Sequence, residues 1–167
     1  VDGAFGLWAA AAPARVDLVA GAALADSWAT DAHKWLNVPY DSGIALVRDP
    51  AALRGAFVQG AAYLSGRMEG ADREPMHYTP ESSRRARGVE IWAALRSLGR
   101  AGLVGLIERN CRHAARFAEG FRAAGFAVLN EVVLNQVLVS FGDDDTTRRV
   151  IAAVQEEGTC WAGGTTW

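Results

Sequence analysis

The chain contains a single lysine, and the sequence around it limits the folds that the chain can adopt. Sixteen of the 17 basic residues are arginines, and the exception is Lys34. Residues 22–31 are mostly small or apolar, and we predict that they form a strand ending in a loop before this lysine. A desolvated lysine forms a Schiff base with a carbonyl group, whereas an arginine stays protonated and is not a nucleophile. Lys34 is therefore a candidate covalent centre, unless a general drift toward arginine left one lysine by chance.

The composition indicates a globular chain and excludes several classes of function. The 167 residues are enough for one domain with a core, half of them are hydrophobic, and the net charge is −2. This charge gives no indication of a nucleic-acid partner. No apolar run approaches the roughly 20 residues that span a bilayer, so we expect no membrane segment.

The cysteine and histidine content points to a reducing compartment without a metal centre. Cys111 and Cys160 are the only cysteines, too few for a disulfide framework and without CxxC spacing. We therefore expect a cytoplasmic protein. The three histidines lie far apart in the sequence, and we expect no bound metal.

Two secondary-structure elements are predicted before residue 60. Residues 42–47 form an apolar run after a glycine-containing turn, which predicts a buried strand. Asp49 and Pro50 then indicate the start of a helix that extends to residue 57, with the aspartate as N-cap. Residues 59–83 lack periodicity, as is usual for a functional loop or a disordered segment.

A long helix and a small lobe are predicted after this loop. Apolar residues at helical spacing begin near Val89, Gly99 and Gly102 break or kink the helix, and Gly125 ends it. The remaining pattern predicts, in order, strands at 126–133 and 134–141, a helix at 150–157 that follows acidic residues, and a final strand beyond Gly158. We place the boundary within the long helix and predict a first domain at 1–105 and an incomplete α+β domain at 106–167.

Both ends of the chain have the pattern of regular structure. The first four residues are typical of a strand leading into a turn, and residues 159–167 are typical of a strand or hairpin that is cut short. We therefore expect the chain to be a piece of a longer protein.

Asp2 lies at the first of these strand exits and adds a second chemical group to the lysine. In an open α/β sheet, ligands bind at the carboxyl ends of the strands. A lysine and a carboxylate at such ends fit pyridoxal phosphate, because the amine condenses with the aldehyde and the carboxylate keeps the pyridine nitrogen protonated. Taken alone, Asp2 is better interpreted as an ordinary turn aspartate.

These motifs together resemble a known enzyme family, the pyridoxal-phosphate-dependent group II amino-acid decarboxylases. The specific part of the resemblance lies in Val1-Asp2-Gly3-Ala4-Phe5-Gly6 and Asp31-Ala32-His33-Lys34-Trp35. It continues through Ser83-Arg84-Arg85-Ala86-Arg87, Leu134-Asn135-Gln136-Val137 and Gly163-Gly164-Thr165-Thr166-Trp167, and so spans essentially the whole chain. The resemblance implies an α/β architecture of fold-type I, here as part of the large-domain sheet plus the small C-terminal α+β lobe. It also implies a homodimer.

The resemblance implies a role for each residue of the two specific motifs. Lys34 matches the Schiff-base lysine, and Asp2 matches the aspartate that pairs with the pyridine nitrogen. Ala4 matches a small residue packed against the cofactor ring. His33 matches a histidine near the cofactor and the substrate carboxylate, with a buried core histidine as the alternative. Asp31 matches a position whose neighbourhood touches the phosphate, and we expect a backbone N–H rather than its carboxylate to make the contact.

The family resemblance also covers the irregular loop. Tyr78 matches a tyrosine of a mobile family loop that protonates the substrate carbon after CO2 leaves, and Tyr63 is the alternative. The loop, over about residues 63–82, would cover the site of the neighbouring subunit.

The loop is followed by an arginine cluster. We expect Ser82 or Ser83 to cap the following helix, which places Arg84, Arg85 and Arg87 in its first turn, where cations oppose the helix dipole. These arginines then have acidic partners, such as acids across a dimer interface, or form a solvated patch.

We therefore predict a pyridoxal 5'-phosphate-dependent carboxy-lyase that converts an L-amino acid to the amine and CO2 through a Schiff base at Lys34. An aldehyde synthase or another carbon–carbon lyase of the same cofactor class is the first alternative. A non-catalytic α/β interaction module or an inactive fragment is the second. In the family, the residues that stack on the cofactor and bind its phosphate lie upstream of this segment, so we expect the isolated fragment to be inactive.

Overall fold

The computed structural model describes residues 1–57 and 73–166. The chain divides into two compact units, Val1–Val104 and Gly105–Trp167. Each unit has its own small antiparallel sheet.

The sheet of the first unit is a hairpin with a third chain segment beside it. Strand β1 (Ser27–Asp31) pairs antiparallel with β2 (Gly43–Val47), with Asp31 opposite Gly43. Asp2 lies parallel to β1 opposite Ala29, and the Ala29 N–H donates to the Val1 carbonyl at 3.0 Å. Both strands predicted in this region are present, although the first is shorter because residues 22–24 form a turn of 3-10 helix.

The approach of the first residues to β1 requires a glycine. A Cβ atom on Gly3 would lie 2.8 Å from atoms of both Leu7 and Trp28. The Gly3 N–H donates to the Ala29 carbonyl at 2.7 Å, and the Thr30 hydroxyl donates to the Gly3 carbonyl at 2.9 Å. A larger residue at position 3 would therefore push this segment away from the sheet.

The hairpin connection contains a single helical turn. Helix α1 (Ala32–Trp35) follows β1 directly. It ends where Asn37 adopts a left-handed conformation with φ 52°, which asparagine tolerates better than most residues. Short 3-10 helices at Gly6–Ala11 and Pro13–Val19 come before β1. The apolar core of this part contains Ala9, Ala12, Ala32, Trp35 and Leu36.

Helix α2 (Pro50–Phe57) begins as the sequence predicts. The Asp49 carboxylate accepts a hydrogen bond from the Ala51 N–H at 2.9 Å. Of the predicted irregular stretch, residues 59–72 lie outside the described residues, and residues 75–78 form a 3-10 helix.

Helix α3 (Gly88–Ala123) starts later than predicted. Arg84, Arg85 and Arg87 precede the helix, so their placement in its first turn is wrong. The predicted break at Gly99 is confirmed, since this residue has φ 58° and ψ −178°. Gly102, predicted as a second breaking point, stays within the helix.

The second unit contains the rest of this helix, a short hairpin and helix α4 (Asp144–Glu157). Gly125 ends α3 with φ 84°, as predicted. Ile107, Cys111, Ala114 and Ala118 form its buried face, at the spacing of one helix stripe. The Asp143 carboxylate caps α4 by accepting the Thr146 N–H at 2.7 Å.

The strands of the second unit are much shorter than predicted. Strand β3 (Ala127–Val128) pairs antiparallel with β4 (Val139–Ser140). The side chain of Asn130 replaces further ladder bonds, because it accepts the Leu138 N–H at 2.8 Å and donates to the Gln136 carbonyl at 3.1 Å. The final strand predicted beyond Gly158 is wrong, since residues 159–166 contain no strand.

In the described ranges, no helix combines the length and apolar character that a membrane crossing needs. Cys111 and Cys160, both within those ranges, are not joined by a disulfide.

Candidate active site

Three of the predicted site residues meet where β1 passes into α1. The Lys34 Nζ atom lies 2.8 Å from Asp31 Oδ2, and His33 Nε2 lies 3.9 Å from the same oxygen. The side chains of Lys34 and His33 are 29% and 17% exposed, so both are partly open to solvent. The hydrogen bond from Lys34 lowers the pKa of the Asp31 carboxyl below its usual value; partial burial opposes this shift, and the charges of Lys34 and His33 add to it.

An aromatic ring closes the other side of the lysine. Lys34 Nζ lies 4.2 Å from the centroid of the Phe5 ring, a cation–π distance. The Trp35 indole N–H donates to the Phe5 carbonyl at 3.0 Å, and Trp35 itself is only 4% exposed. Trp35 therefore packs in the core and fixes the main chain of Phe5.

Asp2 and Ala4 lie on the segment that runs parallel to β1. This segment and β1 run in the same direction, so their carboxyl ends reach the same edge of the sheet. Lys34 lies at that edge. The Asp2 carboxylate is exposed, and its Oδ1 atom accepts the Ala4 N–H at 2.9 Å. Asp2 is thus both a turn aspartate and an accessible anion at this edge.

Tyr40 contacts the site and was missed in the sequence. Its ring stacks on the His33 imidazole with centroids 4.3 Å apart and an interplanar angle of 29°. Tyr40 is 85% exposed, so the stack covers one face of the ring and leaves the other open. The residue lies in the turn before β2, where only the three-dimensional hairpin brings it back over α1.

The neighbouring residue, Asp41, binds the arginines that precede α3. Arg85 contacts both carboxylate oxygens at 2.8 and 3.1 Å, and Arg87 contacts one at 3.1 Å. Arg85 also pairs with Glu90 on α3. Hydrogen bonds from Arg85 and then Arg87 lower the pKa of Asp41 from 3.8 to about 2 against the opposing effect of partial burial. The acidic partners of Arg85 and Arg87 therefore lie within this chain.

Tyr78 lies on a different element from the cluster. It lies in the 3-10 helix Pro75–Tyr78, and the Arg73 guanidinium carbon is 4.4 Å from its ring centroid. Within residues 1–57 and 73–166, no hydrogen bond, ion pair or ring contact joins Tyr78 to Lys34 or His33. Tyr63 and the first part of the predicted loop lie outside the described residues.

The site thus offers an amine, a carboxylate and an imidazole at the end of one strand, with a further carboxylate at the same sheet edge. No group of three or more metal-ligating side chains occurs in the part of the chain that the structure describes. The chemistry available at this edge is nucleophilic and acid–base chemistry of side chains.

The model of the pyridoxal-dependent decarboxylase conserved domain matches residues 1–142. The chain belongs to this family. The aromatic-L-amino-acid decarboxylase of Drosophila lebanonensis is 33% identical over 119 residues, which are 71% of this chain and 30% of the relative. The 4-hydroxyphenylacetaldehyde synthase of Rhodiola rosea is 27% identical over 173 residues, covering 98% of this chain and 35% of the relative. The chain spans about a third, or less, of the curated relatives it matches.

The solved structures agree on the fold. The Oryza sativa TDC solved with PLP and tryptamine superposes with a TM-score of 0.90 at 23% identity, over 99% of this chain and 37% of that chain. The predicted α/β architecture of fold-type I is thereby confirmed. Pyridoxal phosphate is the cofactor of the family, which confirms the cofactor predicted from the sequence.

The residues at this sheet edge fit that cofactor. The partly exposed Lys34 amine is open to an aldehyde, and the exposed Asp2 carboxylate suits a protonated ring nitrogen. A negatively charged Asp31 does not suit a phosphate dianion, and its carboxylate is bound to Lys34 instead.

Proposed function

We propose that the complete protein decarboxylates an L-amino acid to the corresponding amine and CO2, with pyridoxal phosphate attached to Lys34. The observation that carries the proposal is the partly exposed Lys34 amine at the end of β1, held between the Asp31 carboxylate and the Phe5 ring. When bound, the cofactor supplies an aldehyde for the amine and a ring that withdraws electrons from the substrate α-carbon.

The other residues of this edge have separate roles in the proposal. Asp2 holds the proton on the pyridine nitrogen, and the small Ala4 leaves room for the ring. His33 donates a hydrogen bond to the substrate carboxylate or the cofactor, supported by its partly exposed imidazole beside Lys34. We assign Asp31 to the cofactor site through its backbone N–H and through its contact with Lys34.

Tyr78 is proposed as the residue that delivers a proton to the α-carbon after CO2 has left. We further propose that the protein is a cytoplasmic homodimer and that Tyr78 serves the site of the other subunit. In the part of the chain that the structure describes, Tyr78 makes no hydrogen bond or ring contact with Lys34 or His33, which is in keeping with this arrangement.

Covalent trapping tests the attachment at Lys34. The complete protein is loaded with pyridoxal phosphate, reduced with borohydride and digested with trypsin. Because trypsin does not cut after a modified lysine, the adduct yields a peptide of residues 16–48, whereas unmodified chain is cut after Lys34. We expect the adduct in the wild type and its complete loss in Lys34→Arg, since a guanidinium keeps the charge but does not condense with the aldehyde.

Unchanged adduct in Lys34→Arg would move the attachment to another lysine of the complete protein. A thermal unfolding midpoint close to the wild type is the control, because arginine still pairs with Asp31. An adduct absent from a well-folded wild type would favour the non-catalytic interaction module.

An aldehyde synthase is the second candidate, and the Rhodiola rosea relative that matches 98% of this chain favours it. Incubation with aromatic L-amino acids and with histidine, followed by analysis of the products, separates the two. Amine with CO2 supports the decarboxylase, and aldehyde as the main product supports the synthase.

A further inference from the structure

Asp31 stands at a helix N-terminus but does not cap the helix. Asp49 and Asp143 occupy the same position before α2 and α4, and each accepts a backbone N–H of the first turn at 2.9 and 2.7 Å. Asp31 precedes α1 in an extended conformation with φ −104° and makes no capping bond within the described residues. Its carboxylate instead contacts Lys34, at 2.8 Å from Nζ.

The contact of Asp31 with Lys34 is unusual, because an aspartate at an N-cap position usually accepts a backbone N–H of the first turn. The i,i+3 spacing places the carboxylate and the amine on the same side of the single turn of α1. The Phe5 ring, 4.2 Å from Nζ, favours the charged amine from another side. Both contacts occupy the amine of Lys34, and both must be broken before its nitrogen can attack a carbonyl.

We propose that Asp31 is a positioning residue that holds Lys34 as a paired, unreactive ammonium and so limits the rate at which this lysine captures aldehydes. Capture requires Lys34 to leave the carboxylate and release one proton to solvent. Its nitrogen lone pair then bonds to the aldehyde carbon while the carbonyl C–O bond breaks, and the oxygen departs as water with the two remaining amine protons. The inference deepens the proposed function, because the aldehyde that the family uses is that of pyridoxal phosphate.

Rates of capture at Lys34 test the inference. Propanal with cyanoborohydride alkylates the amine in the complete protein without its cofactor, and the tryptic peptide of residues 16–48 reports the extent at this lysine alone. We expect Asp31→Asn to raise the rate about two- to fivefold at neutral pH and low salt, the range expected for the loss of one partly exposed ion pair. The same variant should bind pyridoxal phosphate covalently faster by a similar factor.

Three controls separate the loss of the ion pair from other causes of a faster capture rate. Asp31→Glu keeps a carboxylate and should stay near the wild-type rate. Asp26→Asn removes the same charge at the other end of the hairpin, where Asp26 pairs with Arg48 at 3.3 Å, and should leave the rate unchanged. High salt should accelerate the wild type toward the Asp31→Asn rate, because it screens the pair.

The outcomes distinguish this inference from the proposed function. A capture rate for Asp31→Asn equal to or below that of the wild type would overturn the inference. A rate below the wild type would indicate that the carboxylate acts as a base that accepts the proton from Lys34. If Asp31→Asn does not fold, a wild-type rate that is independent of salt overturns the inference equally well. Faster propanal capture combined with no pyridoxal phosphate adduct would support the role of Asp31 and contradict the proposed attachment of the cofactor.

Discussion

The residues around Lys34 act through two different kinds of contact. Asp31 and Phe5 contact the amine itself, whereas Tyr40 stacks on the neighbouring His33. The sequence motif predicts Asp31, His33 and Lys34 as neighbours because they lie within four consecutive positions. Phe5 and Tyr40 reach the cluster only through the parallel segment and the hairpin turn, and no local pattern encodes those contacts.

Asp2→Asn separates the charge of this residue from its place in the turn. Asparagine keeps an Oδ1 acceptor for the Ala4 N–H, so the turn and the thermal unfolding midpoint should be preserved. If the carboxylate holds the proton on the cofactor nitrogen, turnover should fall by about 10²-fold or more, the scale of losing one charge-stabilising contact. Steady-state amine production by the complete protein measures this, and near-normal turnover would leave Asp2 as a turn residue only.

Tyr40→Ala tests whether the ring stack orients His33. Aromatic stacking of this geometry contributes about 0.5–1.5 kcal/mol beyond area burial, enough to favour one orientation of the imidazole. We expect turnover to fall about tenfold with little change in the unfolding midpoint, because Tyr40 is largely exposed. The matched variant Tyr40→Phe keeps the stack and should retain normal turnover. A loss as large in Tyr40→Phe would point to the hydroxyl instead of the stack.

At the scale of elements, the sequence predicts best where a local signal controls the structure. The cap at Asp49, the break at Gly99 and the end of α3 at Gly125 all depend on residues next to each other in the chain. Two other predictions are wrong because contacts between residues further apart in the sequence override the local signal. Asn130 bonds across its loop and shortens both strands of the second unit.

The start of α3 is the other case. A capping serine predicts an earlier helix with the arginines in its first turn, but Arg85 and Arg87 extend to Asp41 on the hairpin turn. This pairing keeps residues 84–87 out of the helix, which begins at Gly88. The charged cluster therefore joins the turn that carries Tyr40 to the segment that follows Tyr78.

Asp41 should make this junction sensitive to acid. Its pKa is lowered from 3.8 to about 2 in the folded chain, so its carboxylate stabilises the fold above pH 4. That contribution is lost as the pH falls from about 4 to about 2, because the unfolded chain then takes up the proton first. Asp41→Asn should reduce the stability at neutral pH and remove this part of the acid dependence.

Urea unfolding of the complete protein at a series of pH values measures the difference between Asp41→Asn and the wild type. Asp26→Asn is the matched control, since Asp26 has a single arginine partner on the same hairpin. Parallel stability–pH curves for Asp41→Asn and the wild type between pH 2 and 5 would show that the cluster does not stabilise the fold.

At the scale of the whole molecule, the candidate site lies within one of the two units. Asp2, Asp31, His33 and Lys34 all lie in the first unit, and the family match extends from there to residue 142. The chain spans about a third of its relatives at most, so the function must be tested in the complete protein. The complete protein can then also show whether Tyr78 serves the site of its own subunit or that of the neighbouring one.

Mixing two variants tests whether Tyr78 serves the neighbouring subunit. Tyr78→Phe lacks the proposed proton donor and Lys34→Ala lacks the cofactor amine, so neither homodimer should produce amine efficiently. If Tyr78 acts in trans, each mixed dimer has one site with both defects and one intact site. Random exchange makes half of the dimers mixed, so amine production should recover to about a quarter of the wild-type value. If Tyr78 acts within its own subunit, every site of the mixed dimer carries one defect. Amine production that stays at the level of the separate variants, while native mass spectrometry detects the mixed dimer, would therefore rule out donation across subunits.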